Sequence, residues 1–216
     1  MALMDDKTRE DVRQMLAALT GPVKVVLFTQ QFECQMCTET REIAEEVAAL
    51  NDLITVEVHD FEADKALADS LDIDKIPAMA ILGANDEDYG IRFFGIPSGY
   101  EFMSFLEALK LVSSGDAGLS DDTIAYLDAL EGDLHLQVFV TPTCPYCPGA
   151  VILAHQLAFA SDKVRGDMVE AQEFPHLSMK YQVMGVPRTV INEDTFLEGA
   201  APEAMLLGKV QEALAN

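Results

Sequence analysis

Cys34-Gln35-Met36-Cys37 and Cys144-Pro145-Tyr146-Cys147 repeat one C-x-x-C pattern at a separation of 110 residues. Each pair is followed, 43 residues after its first cysteine, by a proline in apolar sequence, Pro77 in one case and Pro187 in the other. A single C-x-x-C pair is a weak signal, because zinc sites, iron–sulfur sites and chance all produce it. Two copies with a matched downstream proline indicate a duplicated redox module.

The sequence around the two pairs repeats one order of predicted elements. In each half, a helix and a buried strand precede the cysteine pair, and a helix, a strand, a short helix, the proline, two strands and a final helix follow it. The small, polar segment 113–118 separates the halves and is typical of a linker. We therefore predict an α/β protein with two domains, residues 1–114 and 119–216, each with its own core. The predicted strands cover residues 23–29, 53–58, 78–82, 91–94, 134–140, 165–171, 189–192 and 196–198.

Composition limits the compartment and the partners. The 216-residue chain has a net charge of −23 and a pI near 4.2, which argues against binding to nucleic acid phosphates. No apolar run approaches the ~20 residues of a membrane span, and the first residues lack the layout of a secretory signal. We expect a cytoplasmic protein that binds neither nucleic acid nor membranes. Because all four cysteines lie in the two pairs, we expect catalysis or metal binding rather than a structural disulfide.

A cysteine pair placed between a strand and a helix can exchange disulfides. At a helix start, free backbone N–H groups and the helix dipole favour a thiolate on the first cysteine, and the second cysteine then attacks the mixed disulfide. Cys34 and Cys144 are thus predicted nucleophiles, and Cys37 and Cys147 are predicted resolving cysteines. Lowering a thiol pKa from ~8.5 to ~6.5 needs ~2.7 kcal/mol, whereas the dipole supplies ~0.3–1 kcal/mol. Hydrogen bonds to the sulfur must supply the remainder.

The residues between the cysteines differ in the two pairs. Pro145 removes an N–H donor and fixes a backbone angle in the second pair, and Gln35 does neither in the first. About 30 mV in a two-electron couple corresponds to ~1.4 kcal/mol, so such a change is enough to alter the reduction potential. We predict that the two sites differ in potential.

With these motifs, residues 5–215 resemble the protein disulfide oxidoreductases of thermophilic bacteria and archaea, which consist of two fused thioredoxin-fold units with one C-x-x-C pair each. The second motif is the C-P-Y-C of glutaredoxins, and Thr141-Pro142-Thr143 before it also suits that family. The resemblance implies two tandem thioredoxin-fold units, each with a mixed sheet flanked by helices. It implies no organic cofactor and no metal.

The resemblance also implies how a substrate is held. In such folds the prolines matching Pro77 and Pro187 are cis and face the cysteine pairs. The backbone of the preceding residue, Ile76 or Val186, pairs with an extended substrate strand. Tyr146 contacts substrate or covers the site. The expected partners are protein disulfides or dithiols and an electron donor of the thioredoxin-reductase type, since the chain lacks a Rossmann G-x-G-x-x-G motif of its own.

Two features depart from the families that the motifs suggest. Thioredoxins carry a buried carboxylate in the strand before the active site, and residues 23–28 and 136–140 contain none. Another group or water must therefore move the proton of the resolving thiol. The acidic Gly-Gly segment with which glutaredoxins bind glutathione is matched poorly by residues 198–203, so a protein disulfide is the expected substrate.

Three alternatives stay open at the level of sequence. Four cysteines could hold one zinc ion, although zinc-binding pairs are usually ~15–20 residues apart. A non-catalytic adaptor or chaperone could use the same scaffold. An electron-shuttle module for a peroxidase partner, similar to the tandem module of the flavoprotein component of alkyl hydroperoxide reductases, is the main enzymatic alternative. That module generally retains one active C-x-x-C pair, whereas both pairs are intact here.

Overall fold

The computed structural model describes residues 4–215 and contains alternating helices and strands in the predicted order. The helices are α1 (Asp6–Leu16), α2 (Cys37–Ala48), α3 (Lys65–Ser70), α4 (Glu101–Ser114), α5 (Asp121–Asp128), α6 (Cys147–Ala160), α7 (Pro175–Lys180) and α8 (Glu203–Leu214). The strands are β1 (Val23–Thr29), β2 (Ile54–Asp60), β3 (Ala78–Leu82), β4 (Asp88–Phe94), β5 (Leu134–Val140), β6 (Val164–Glu170), β7 (Arg188–Ile191) and β8 (Thr195–Glu198). Within the described residues, no helix is long and apolar enough to cross a membrane.

The predicted strand bounds agree with the observed ones to within two residues, except at the start of the fourth strand. The predicted strands at 23–29, 78–82 and 134–140 match β1, β3 and β5 to the residue. The fourth strand begins at Asp88 rather than Ile91, because the preceding turn is a single 3₁₀ turn at Ala84–Asp86. Residue Asn85 in that turn has φ +58°, a conformation that asparagine tolerates.

The eight strands form one mixed sheet in the order β2-β1-β3-β4-β6-β5-β7-β8. The first four strands and the last four strands have the same relative order. Strands β4 and β6 join the two sets by parallel pairing from Ile91↔Gly166 to Phe94↔Val169. The pairings orient every strand alike except β3 and β7, which are antiparallel to their neighbours. The carboxyl ends of β1 and β5, which lead to the cysteine pairs, therefore lie at the same edge of the sheet.

The prediction of one core for each half is wrong. The buried side chains form two clusters, and alternate residues of one strand belong to different clusters, as Val25 and Val26 of β1 do. Because successive side chains of a strand point to opposite faces, the clusters cover the two faces of the sheet and each extends through both halves. One face packs against α3 and α7, and the other packs against α1, α2, α4, α5, α6 and α8.

Charged side chains are buried where β4 meets β6. Asp167 of β6 is fully buried, and its carboxylate accepts a hydrogen bond from Arg165 Nε at 2.8 Å and lies 2.7 Å from His135 Nε2. Opposite Asp167 in the register stands Arg92, which is 2% exposed and donates to Leu71 O and to the Asp88 carboxylate, each at 2.8 Å. Arg92 and Asp167 are therefore each paired with an opposite charge, Arg92 with Asp88 and Asp167 with Arg165.

Asp167→Asn is expected to destabilise the protein by ~3–5 kcal/mol at pH 7, because it leaves Arg165 and His135 without their buried counter-ion. Burial alone would raise the pKa of Asp167, but the His135 and Arg165 contacts outweigh it and hold the pKa well below its usual range. The stabilisation is thus present above the ordinary pKa of ~3.9 and is lost as pH falls toward the folded-state pKa.

Urea unfolding at pH 7 and at lower pH values measures this effect. The deficit of Asp167→Asn should shrink on acidification, and Asp162→Asn, a substitution of an exposed carboxylate on the turn before β6, serves as the control. If Asp167→Asn has the same free energy of unfolding as the wild type at pH 7, the prediction is wrong.

Candidate active site

Both cysteine pairs are disulfide-bonded, and each lies between a strand end and a helix start. The disulfides join Cys34 to Cys37 and Cys144 to Cys147, with a Cα–Cα distance of 5.5 Å in each case. The helices begin at the second cysteine of each pair, so the first cysteine lies just before a helix start, as predicted. The bond from Thr40 N to Met36 O is the first helical bond of α2, which leaves Cys34 in the preceding loop.

This arrangement leaves the first cysteine of each pair at the N-terminal end of a helix axis. The N–H groups of a helix's first turn have no partner within the helix, and the helix dipole is positive at that end, so the position favours a thiolate on the first cysteine. Cys37 is 4% exposed and Cys147 is fully buried, whereas Cys34 is half-buried and Cys144 is 8% exposed. An incoming group therefore reaches Cys34 more easily than any other cysteine of the chain.

The peptide bonds Ile76-Pro77 and Val186-Pro187 are both cis, as the resemblance implied. Pro77 lines the same cleft as Cys34, and the carbonyl of Val186 lies 3.7 Å from Cys144 Sγ. The carbonyl oxygens of the two prolines accept hydrogen bonds from Gly95 N at 2.9 Å and Gly199 N at 2.8 Å, which fix the proline loops to the neighbouring strands. Tyr146, between the cysteines of the second pair, is 71% exposed.

The two disulfides are separated along the common edge. Strands β3, β4 and β6 lie between β1 and β5, and four strand spacings of ~4.8 Å amount to ~19 Å. This distance is far beyond the Zn–S bond length of ~2.3 Å, so the four cysteines are not placed to bind one tetrahedral ion. It also prevents a thiolate of one pair from attacking the disulfide of the other pair in this conformation.

A cleft of about 540 Å³ lies in front of Cys34 and is lined by residues of both halves. Ile76, Pro77, Ile96 and Ser98 contribute from the first half, and Pro142, Glu170, Gln172, Glu173 and Pro175 contribute from the second. The joint between β4 and β6 therefore adds a wall to the first redox site that its own half of the chain does not provide.

Three buried or half-buried carboxyl groups near this edge were missed by the sequence analysis. Glu170 is the last residue of β6, and Glu173 follows it in the next loop. Burial raises the pKa of both carboxyl groups, and that of Glu173 reaches about 7. Glu101 opens α4 and is 1% exposed, and burial raises its pKa to about 7 although Ser104 Oγ donates to its carboxylate at 2.6 Å. Each looked in the sequence like an ordinary acidic residue at an element end, so no local pattern marked it.

Gly95 allows the carboxyl groups of the cleft wall to approach β4. Its φ of +89° favours glycine, and a Cβ atom there would lie 2.6 Å from Glu170 Cβ and 2.7 Å from Glu173 Oε1. The loop after β4 and the loop after β6 can therefore touch only because position 95 has no side chain.

Comparison with solved structures identifies relatives of this arrangement. The structure superposes on a protein disulfide oxidoreductase from Aeropyrum pernix K1 with a TM-score of 0.91 and 30% sequence identity, over 98% of this chain and 95% of that chain. The chain belongs to the protein disulfide oxidoreductase family. A thioredoxin domain model matches residues 134–212, the part that contains the second cysteine pair.

Further relatives are alkyl hydroperoxide reductase proteins of the type called AhpF. The structure of AhpF from Enterococcus faecalis has a TM-score of 0.89 at 26% identity, over 96% of this chain and 99% of the compared chain. The corresponding protein of Pseudomonas putida is 26% identical over 208 residues. The chain spans 37% of the length of that curated relative, so it corresponds to a part of the longer protein.

In the reduced protein, iodoacetamide is expected to modify Cys34 ahead of Cys144 and to modify Cys37 and Cys147 last, because alkylation requires an accessible thiolate. Mass spectrometry of peptides from samples quenched over time gives the four rates. Reduced protein unfolded in urea should lose the order and provides the control. Equal rates for Cys34 and Cys147 in the folded protein contradict the exposure described here.

Proposed function

We propose that the chain catalyses thiol–disulfide exchange with protein disulfides at two sites in two tandem thioredoxin-fold units, residues 1–114 and 119–216. The first site consists of Cys34 and Cys37 with Ile76-Pro77. The second consists of Cys144 and Cys147 with Val186-Pro187 and Tyr146. The repeated strand order on either side of the β4–β6 joint supports the division into units.

One observation carries this proposal: each disulfide lies at a helix start beside a cis-proline loop at one open edge of the sheet. An exposed disulfide or thiolate in that position can react with an external sulfur, whereas a structural disulfide gains nothing from it. The family relationship to the Aeropyrum pernix protein supports the same activity.

The chemistry follows from the placement of the sulfurs. In the reducing direction, the thiolate of Cys34 or Cys144 attacks a substrate disulfide, and one substrate sulfur leaves. Cys37 or Cys147 then attacks the mixed disulfide and releases the second substrate sulfur. The backbone of Ile76 or Val186 pairs with the extended substrate segment beside the sulfur under attack. The reverse sequence oxidises a substrate dithiol.

The separation of the sites defines how electrons enter and leave. Because β1 and β5, the strands that lead to the two pairs, are ~19 Å apart across the sheet, each pair reacts with external partners on its own. A reductase of the thioredoxin-reductase type is the proposed electron donor, and protein disulfides are the proposed substrates. The cytoplasm is the proposed compartment, where such a donor would keep both pairs largely reduced.

A second candidate function is favoured by the curated relatives. Because 96% of this chain matches a part of the Pseudomonas putida alkyl hydroperoxide reductase protein, the chain could pass electrons to one peroxidase partner. The two functions differ in their use of the first pair. A dedicated shuttle needs only one reactive pair, whereas Cys34 gives this chain a second accessible one. A dedicated shuttle should reduce its peroxidase much faster than it reduces an unrelated protein disulfide.

Cys144→Ser is expected to lower dithiothreitol-driven reduction of insulin at least about tenfold, equivalent to ~1.4 kcal/mol of transition-state stabilisation, because the second pair has the C-P-Y-C motif and lies within the matched thioredoxin domain. Cys34→Ser is expected to cause a smaller loss. Turbidity of the precipitating insulin chains follows the reaction.

The double variant Cys34→Ser with Cys144→Ser gives the background rate of dithiothreitol alone. A wild-type rate equal to that background contradicts the proposed function. Wild-type activity that depends on Cys34 alone contradicts the assignment of the second pair as the main site.

A further inference from the structure

The cleft in front of Cys34 has an acidic wall that comes from the other half of the chain. Glu173 lines this cleft together with Cys34 and Pro77, and it belongs to the loop that connects β6 to α7. The side chain is half-buried, so it remains in contact with the contents of the cleft. A carboxyl group of the second half therefore shares a cleft with the nucleophile of the first half.

Hydrogen bonds fix the position of this carboxyl group. Glu173 Oε1 accepts from Ile96 N at 2.6 Å, and Glu173 N donates to Glu170 Oε2 at 2.6 Å. Glu170 itself is 2% exposed, and the absence of a side chain at Gly95 lets both glutamates approach the end of β4. The group thus has a defined place at the cleft, unlike a mobile surface carboxylate.

The charges around Glu173 favour its protonated form. The charged residues that line the cleft are Glu33, Glu170 and Glu173, and no lysine, arginine or histidine is among the described lining residues. Burial raises the pKa of Glu173 to about 7; the Ile96 N–H opposes this, and the nearby Glu170 carboxylate adds to it. Near neutral pH the group can both give and take a proton.

We propose that Glu173 is the proton donor for the Cys34–Cys37 site, supplied in cis by the opposite half of the chain. The inference rests on the proposed thiol–disulfide exchange at that site and adds the group that handles its proton.

Glu173 protonates the sulfur that leaves when the substrate disulfide is cleaved. The Cys34 thiolate forms a bond to one sulfur of a substrate disulfide, and the bond between the two substrate sulfurs breaks with its electron pair on the leaving sulfur. The Glu173 carboxylic acid gives its proton to that leaving thiolate in the cleft, which releases a neutral thiol and leaves a carboxylate. Water then returns a proton to Glu173. Cys34 is oxidised to the mixed disulfide, and the substrate sulfur is reduced.

A protein with only the first pair active tests this role. Cys144→Ser with Cys147→Ser provides the background, into which Glu173→Gln, Glu173→Asp and the control Glu131→Gln are introduced. Glu131 is exposed and precedes β5 at the opposite edge of the sheet. Stopped-flow oxidation of each reduced protein by a small peptide disulfide is measured from pH 5.5 to 9, and iodoacetamide alkylation gives the thiolate fraction of Cys34 independently.

In the parent and in the Glu131→Gln control, the exchange rate divided by the thiolate fraction should fall as pH rises through about 7. Glu173→Gln should remove this fall and should lower the rate at pH 6 by about tenfold or more, since general acids typically contribute 10²–10⁴-fold. Glutamine keeps an oxygen that can accept from Ile96 N, so the loop contact is retained. Glu173→Asp should restore a falling limb.

The alternative outcomes are distinct. Identical pH profiles for the parent and Glu173→Gln overturn the inference and leave the proposed function intact. If no variant exchanges with the peptide at any pH while Cys34 is still alkylated, the proposed function of the first site is overturned and the inference fails with it.

Discussion

The parallel pairing of β4 with β6 is the constraint on which the rest of the structure depends. It converts two four-stranded sets into one sheet and gives β1 and β5 the same direction. Because each cysteine pair follows the carboxyl end of one of these strands, both pairs are presented along one edge. The same pairing places the loop after β6 against the first site. The cleft at the first cysteine pair is therefore formed by both halves together.

The buried charges at this joint are paired within each half. Arg92 stands opposite Asp167 in the register, but its ion pair is with Asp88 of its own strand, whereas Asp167 pairs with Arg165 of β6 and lies beside His135 of β5. Each strand therefore brings its buried charge to the joint with a partner already present. A shift of the β4–β6 register by one residue would turn the side chains of one strand to the opposite face of the sheet, so the apolar pattern of the two faces selects the register and, with it, the relative position of the two cysteine pairs.

Much of this architecture could be predicted from the sequence. The short apolar runs of β1, β3 and β5 predicted those strands, and the repeated spacing from cysteine to proline predicted that a proline loop accompanies each cysteine pair. The cores and the cleft could not be predicted, because they depend on which strand of one half pairs with which strand of the other. Glu173 acquires its environment from Ile96, which is 77 residues away in the chain, so no local pattern reveals it.

The single sheet also reduces the number of outermost strands whose backbone groups are unpaired on one side. Two separate four-stranded sheets of this order would present four edge strands, two of them β4 and β6, whereas the fused sheet presents only β2 and β8. Ile91, Phe93 and Val169 are fully buried at the joint, and in an isolated half their strands would offer unpaired backbone groups beside apolar side chains. The outer strand β2 instead carries Glu57, His59 and Asp60, and charged edge strands resist pairing with other chains. The fusion of the halves is therefore also a protection against aggregation, which either half expressed alone would lose.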